Sequence, residues 1–343
     1  LINAHTHLQY SGMVQVGQGT YDRFRAWELA FNEVYAEAQK TQPWKQWAED
    51  GARQMVESGT TAAADIVTDL DAAGALASQG MHGIAYWEVM GWHNAEWMEK
   101  GRTELIRQLR RMNEEQLPNL GISPHAPYTL ESEPFVDLPD IARQLNMRLH
   151  IHLAETPLEA GTYPPVLTTY SAADWSDHDW ESYRQLKEVG KGASAIQFVD
   201  QLGSLGPDVH IAHGVWANGE DRRILRQRGV GVALCPRSNR ITNTGKDAPV
   251  REYLEEGNLV SVGTDSLSST PTLDLLDDAP RYRFDHVCPR LCARIILAQH
   301  VEILVDDVRR LVDCRVPPSF RLCDKDKGFH AVAHRIALRV SRI

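Results

Sequence analysis

Val209-His210-Ile211-Ala212-His213-Gly214, Gly231-Val232-Ala233-Leu234-Cys235-Pro236 and Leu259-Val260-Ser261-Val262-Gly263-Thr264-Asp265 decide the fold. Each is a short apolar run that ends in a residue able to do chemistry. Helically spaced segments, 219–227 and 249–256, separate them. Strand, helix, strand, helix, strand is the rhythm of parallel β/α units. The same rhythm extends back along the chain. Strands are expected at 1–4, 60–67, 83–89, 120–123 and 148–153, and helices at 22–58 (broken at Pro43), 69–79, 95–112 and 133–145. Eight strands within about 270 residues predict a (β/α)₈ TIM-like barrel rather than an open sheet. No Gly-x-Gly-x-x-Gly follows the first strand, so a dinucleotide fold has no support. One stretch, 161–195, breaks the rhythm. It is long, polar and aromatic (Tyr163, Tyr170, Trp175, Trp180, Tyr183), and its place after a barrel strand makes it a candidate lid.

The 343 residues carry 36 Lys and Arg against 46 Asp and Glu, a net charge of -10, which argues against a nucleic-acid-coating surface. No apolar run approaches the ~18 residues of a membrane span. The charge is unevenly spread: residues 1–276 sum to -14 and 277–343 to +4. Four of the five cysteines (Cys288, Cys292, Cys314, Cys323) fall in that last part, and all nine tryptophans precede it. The body holds only Cys235, so it builds no disulfide framework, which suits a reducing cytoplasm. The chain opens mid-strand at Leu1, and an N-terminally truncated barrel is the expectation.

The chemistry collects at the C-terminal ends of the predicted strands, the face on which barrel active sites assemble. His5 and His7 end the first strand, His125 the fourth, His152 and Glu155 the fifth, His213 the sixth, Cys235 to Asn239 the seventh and Asp265 the eighth. Taken singly these signals are weak: fourteen histidines make a chance His-x-His unsurprising, and Asp265 alone reads equally well as a helix cap. Their coincidence is the signal. Period-two geometry turns His5 and His7 to one face, toward the mouth where His152, His213 and Asp265 converge. Imidazoles with one carboxylate and an open position are what a catalytic divalent metal needs. His150 shares a face with His152 and is the rival ligand; His152 is preferred because it completes the His-x-x-Glu spacing. His82, His93, His178 and His210 read as surface or structural. Glu88 reads either as a substrate contact or as an exposed or capping residue. Arg237 is either an anchor for an acidic substrate group or half of a surface ion pair. Cys235 reads as packing rather than as a nucleophile.

In that order, HTH (5–7), SPHAPYT (123–129), HLAET (152–156), AHG (212–214), CPRSN (235–239) and GTDS (263–266) resemble the amidohydrolase superfamily, in its deaminase and chlorohydrolase branch. CPRSN with SPHAPYT and GTDSLSS is most similar to the aminodeoxyfutalosine deaminases of menaquinone biosynthesis. The resemblance covers residues 1 to about 279. It implies that His5, His7, His152 and Asp265 bind one Zn²⁺ or Fe²⁺. It further implies that His213 hydrogen-bonds the attacking water or the departing group, that Glu155 shuttles a proton to a ring nitrogen, and that Asp265 takes the proton on attack. It implies that His125 contacts the substrate, and Arg237, Asn239 and Ser266 are further candidate substrate contacts. A small heterocyclic substrate, no nucleic-acid or membrane partner, a cytoplasmic setting and a homodimer complete the expectation.

After Thr272-Leu273-Asp274-Leu275-Leu276-Asp277-Asp278-Ala279 the motifs stop. Residues 280–343 read as an atypical tail, frame-shifted or non-homologous, which sequencing of the locus tests. Cys288 and Cys292 with His286 or His300 lack the second paired motif of a zinc site. The β-sandwich segments that flank the family's barrel are not recognisable. Three readings compete: a metal-dependent deaminase of an adenine-bearing nucleoside, another ring hydrolase acting on guanine, a pterin or a triazine, and an inactive metal-binding fragment.

Overall fold

A computed structural model of the chain describes residues 1–114, 119–161, 186 and 189–278. Eight parallel strands follow one another in chain order around a barrel. They are β1 (Ile2–Thr6), β2 (Ala62–Val67), β3 (His82–Val89), β4 (Leu120–Pro124), β5 (Arg148–Leu153), β6 (Val209–His213), β7 (Gly231–Leu234) and β8 (Leu259–Val262). Beyond β8 the chain bonds back to β1, where Asp265 N donates to His5 O at 3.0 Å and Asn3 Nδ2 donates to Thr264 Oγ1 at 2.7 Å. Gly263 permits this approach, since a Cβ there would lie 2.8 Å from both His5 Cβ and His5 O. Every residue of β2 and β7 is buried, which accounts for their largely apolar sequences: helices cover one face and the barrel interior fills the other.

The predicted strands all stand within two residues of the observed ones, with β1 and β6 running on to Thr6 and His213. The helical reading of 22–58 resolves into Phe24–Gln39 and Trp44–Glu57, with Pro43 at the break. Its apolar faces join the outer core with Leu8, Met13, Trp97, Phe135 and Leu138. Two helical expectations need correction. The segment 69–79 is two short turns, Leu70–Ala72 and Ala75–Ser78, because the Asp69 side chain accepts from Asp71 N and caps a turn locally, and Gly74 separates the two. The segment 95–112 is interrupted by a π turn, Trp97–Gly101, before Arg102–Glu114; a Cβ at Gly101 would sit 2.5 Å from the Trp97 ring. Helices Ala195–Gln201 and Pro236–Ile241 were not anticipated.

Among the described residues β1–β8 are the only strands, and no helix is long and apolar enough to cross a membrane. Residues 280–343 lie outside the described residues, as do His178 and the aromatic residues of 163–183 read as a lid.

Candidate active site

Strand ends bring the predicted residues together. His5, His7 and Asp265 form one group whose nitrogen and carboxylate atoms all lie within 4.8 Å of one another, and His5, His152 and His213 form a second. His7 Nε2 stands 3.2 Å from His152 Nε2 and 3.7 Å from Asp265 Oδ1, and His5 Nε2 stands 3.6 Å from the same Oδ1. Atoms bound to one tetrahedral zinc at about 2.1 Å are separated from each other by about 3.4 Å, so this spacing suits a common ion. The buried His5 Nε2 has no hydrogen-bond partner among the described residues, as an atom reserved for a metal would have none. Burial, reinforced by the neighbouring imidazoles, holds His5 and His152 well below the usual histidine range. Burial likewise brings His7 down to about 4, against the pull of Asp265. All three are therefore neutral, the form that ligates. The donor set fits a divalent ion such as Zn²⁺ or Fe²⁺.

The next layer orients these groups. His5 Nδ1 pairs with His150 Nε2 at 3.0 Å; with the proton on His5 Nδ1, its Nε2 keeps a lone pair for the ion. The rival histidine thus stands behind a ligand, with Tyr86 packed against it at 5.2 Å between ring centroids. Asp265 Oδ2 accepts from Ser238 Oγ at 2.6 Å and Ser269 Oγ at 2.9 Å, which leaves Oδ1 toward His5 and His7. His213 Nδ1 donates to Asn239 Oδ1 at 2.9 Å, and its Nε2 lies 3.5 Å from Glu155 Oε1. Burial lowers the His213 pKa, but the carboxylates of Glu155 and Asp265 and the Asn239 bond outweigh it, so the net shift is upward. Burial raises Glu155, with His213 opposing. Tyr128 OH donates to Glu155 Oε2 at 3.2 Å.

Ala154, His213 and Asp265 have φ of +55°, +74° and +62°. The left-handed region is costly for residues with a Cβ, and here it recurs at the ends of β5, β6 and β8, where the functional side chains leave the barrel wall.

His125 is partly exposed. Its Nδ1 pairs with Thr129 Oγ1 at 2.8 Å, and Thr129 donates to Ala126 O, so Nδ1 carries the proton and Nε2 is an acceptor. Burial keeps this imidazole neutral, with a pKa of about 3. Glu88 is buried rather than exposed, 3.8 Å from His152 Nδ1, and burial pushes it up to about 8. Ser266 donates its N–H to Asp265 Oδ1 at 2.9 Å. Asn239 holds His213 through Oδ1, while its buried Nδ2 has no partner among the described residues.

Arg237 needs correction. It is neither half of a surface pair nor a free cation at the mouth. Its guanidinium is 4% exposed and donates to Asp278 Oδ2 at 2.6 Å, Thr272 Oγ1 at 2.8 Å and Thr272 O at 2.9 Å. It fastens the segment after β8 to the start of helix Pro236–Ile241. Cys235 is fully buried and its thiol is pushed up by burial, which suits packing.

Sequence reasoning missed Tyr128, Ser238, Ser269, His150 as a partner of His5, and Glu159. Four of the five lie inside or beside quoted motifs. Glu159 had its own signal, the Thr-x-x-Glu of a capping box at 156–159.

The model of the Amidohydrolase family matches residues 1–163 and 166–292, which runs past the boundary near 279 where the motifs stop. A 5-methylthioadenosine/S-adenosylhomocysteine deaminase of Thermococcus kodakarensis is 30% identical over 283 residues, 81% of this chain and 60% of that protein. A 5'-deoxyadenosine deaminase of Methanosarcina mazei is 31% identical over 81% of this chain and 59% of its own length. The chain thus spans about three-fifths of the length of these relatives. Among solved structures, the Helicobacter pylori aminofutalosine deaminase superposes with a TM-score of 0.64 at 21% identity, covering 86% of this chain and 70% of that one. The zinc complex of an atrazine chlorohydrolase from Arthrobacter aurescens gives 0.66 at 20% identity, covering 83% and 64%. These structural likenesses concern the fold. With a family match over most of its length and the strand-end motifs of a metal-dependent barrel, the chain belongs to the amidohydrolase family.

Proposed function

We propose that the chain is the catalytic barrel of a metal-dependent deaminase that releases ammonia from an adenine-bearing nucleoside. The observation that carries this reading is the placement of Glu155 within 3.5 Å of His213, beside four convergent metal-type donors on the barrel mouth. His5, His7, His152 and Asp265 would hold a divalent ion, which when bound would supply Lewis acidity that lowers the pKa of a water toward about 7. The side chains do the rest. Asp265 accepts a proton as the water adds to the amine-bearing carbon. Glu155, whose pKa burial raises, gives a proton to the adjacent ring nitrogen and makes that carbon electrophilic. His213, fixed by Asn239, donates to the oxygen that adds. Asp265 then passes the proton it took to the departing amino group, Glu155 takes the proton of the added hydroxyl, and the tetrahedral adduct collapses to the ring carbonyl and ammonia.

The named relatives act on adenosines altered at the 5' position, and we extend that substrate class to this chain. Aminodeoxyfutalosine, of menaquinone biosynthesis, belongs to the class. The engagement of Arg237 with Asp278 removes one argument for its carboxylate in particular. A cytoplasmic homodimer remains part of the proposal. The test is ammonia release by the purified, metal-loaded protein from adenosine, 5'-deoxyadenosine, methylthioadenosine and aminodeoxyfutalosine, with guanine, a pterin and a triazine alongside. Turnover of the nucleosides, lost in Glu155→Gln, is expected. Turnover of only the other rings moves the chain to another activity of the family, and none at all leaves a metal-binding fragment.

A further inference from the structure

Glu159 is fully buried and four residues beyond Glu155. Its Oε1 accepts from Ala154 N at 2.8 Å, and its Oε2 accepts from Glu155 N at 2.8 Å and Thr156 N at 2.9 Å. Three successive amides thus converge on one carboxylate, directly after the last residue of β5. The turn they make begins at Ala154 in the left-handed region. The carbonyl side of the same turn is held by the loop after β6: Trp216 N donates to Ala154 O at 2.7 Å and Gly214 N to Leu153 O at 3.0 Å. A buried carboxylate is expensive unless its oxygens are satisfied, and these amides satisfy it.

We infer that Glu159 is a positioning residue for Glu155: by accepting the amides of Ala154, Glu155 and Thr156 it sets the turn that aims the Glu155 side chain at His213. The inference rests on the reading of Glu155 as the proton carrier. Glu159 itself has no surface toward the mouth. Glutamine at 159 keeps the size but sets an NH₂ group against at least one of the amides, donor against donor. Alanine removes both acceptor oxygens and with them all three bonds. A displacement of 1 Å at a reacting group costs on the order of 10²-fold in rate.

The experiment compares Glu159→Gln, Ala154→Gly and the double variant, metal-loaded, by steady-state kinetics, thermal melting and crystallography. Glu159→Gln is expected to lower kcat by about 10²-fold with KM and metal content nearly unchanged. Glycine at 154 takes positive φ without the Cβ penalty, so in the double variant it restores stability while kcat stays low. The double variant also supplies a folded protein where Glu159→Gln alone does not. Recovery of kcat in the double variant would overturn the proposal, since Glu159 would then only offset backbone strain. So would a folded Glu159→Gln with kcat within threefold of the parent. In crystals, the 3.5 Å approach of Glu155 to His213 should lengthen by about 1 Å or more in the glutamine variant, and an unmoved Glu155 overturns the proposal. If the parent protein deaminates no nucleoside, the functional reading fails by itself, and the crystallographic comparison still decides the role of Glu159.

Discussion

Ser238 donates to Asp265 across the gap between β7 and β8, Oγ to Oδ2 at 2.6 Å. With Ser269 on the same oxygen, it fixes Oδ2 and turns Oδ1, which accepts from Ser266 N, toward His5 and His7. Ser238→Ala leaves one of the two donors. We expect metal to be lost roughly 10-fold more readily, the usual effect of removing a partner of a ligand. A chelator competition followed by metal analysis measures this, and Ser238→Thr, which keeps the hydroxyl, should retain metal as the parent does. Unaltered retention in the alanine variant would show that the clamp does not orient Asp265.

Chelation of the whole protein should abolish ammonia release, and readdition of a divalent ion should restore it. Asp265→Asn should not be restored, because an amide is a poor ligand and a poor proton acceptor. Activity surviving either treatment would contradict the assigned donor set.

Arg237→Met separates the structural role of this residue from the one expected of it. Removing the cation strands Asp278 in a buried site, at a cost of about 3 kcal/mol or more. Denaturant melts should show that loss, while KM for nucleosides remains near the parent value in the folded fraction. A KM increase confined to substrates bearing a carboxylate would return Arg237 to the binding site.

Asp65 offers a pH prediction away from the ion. It is buried in β2, accepts from Leu8 N at 2.9 Å through Oδ1, and burial raises its pKa from 3.8 to about 8. The fold favours its neutral form. The stability this group contributes is complete below pH 3.8 and is lost as pH rises through about 8. Asp65→Asn keeps the acceptor and cannot ionise. Urea melts at pH 5 and pH 9 should therefore show the parent losing a few kcal/mol relative to the variant over that interval. Parallel pH profiles would mean that Asp65 is charged throughout.

The barrel was legible because two periodicities rarely mislead together. Predominantly apolar runs of four to six residues at β2, β5, β6, β7 and β8 alternate with helically spaced segments, as burial of barrel strands on both faces favours. The errors fell where a local bond overrides spacing, at the Asp69 cap and at the π turn of Trp97. Legibility in the site had a simple limit. A strand end announces which residue leaves the wall, and hence His5, His7, His152, His213 and Asp265 were found. It says nothing about which neighbour across the barrel holds that residue.

The sequence by itself determined the strand order and placed His5, His7, His152, His213 and Asp265 at strand ends on one face, because each of these depends on spacing along the chain. Only the tertiary structure decided that His150 backs His5, that Ser238 and Ser269 clamp Asp265, that Asn239 orients His213, and that Arg237 is engaged by Asp278. Most of these pairs join residues of different structural elements, up to 145 positions apart. The barrel's closure brings such residues within hydrogen-bond reach, and no periodicity along the chain records that approach.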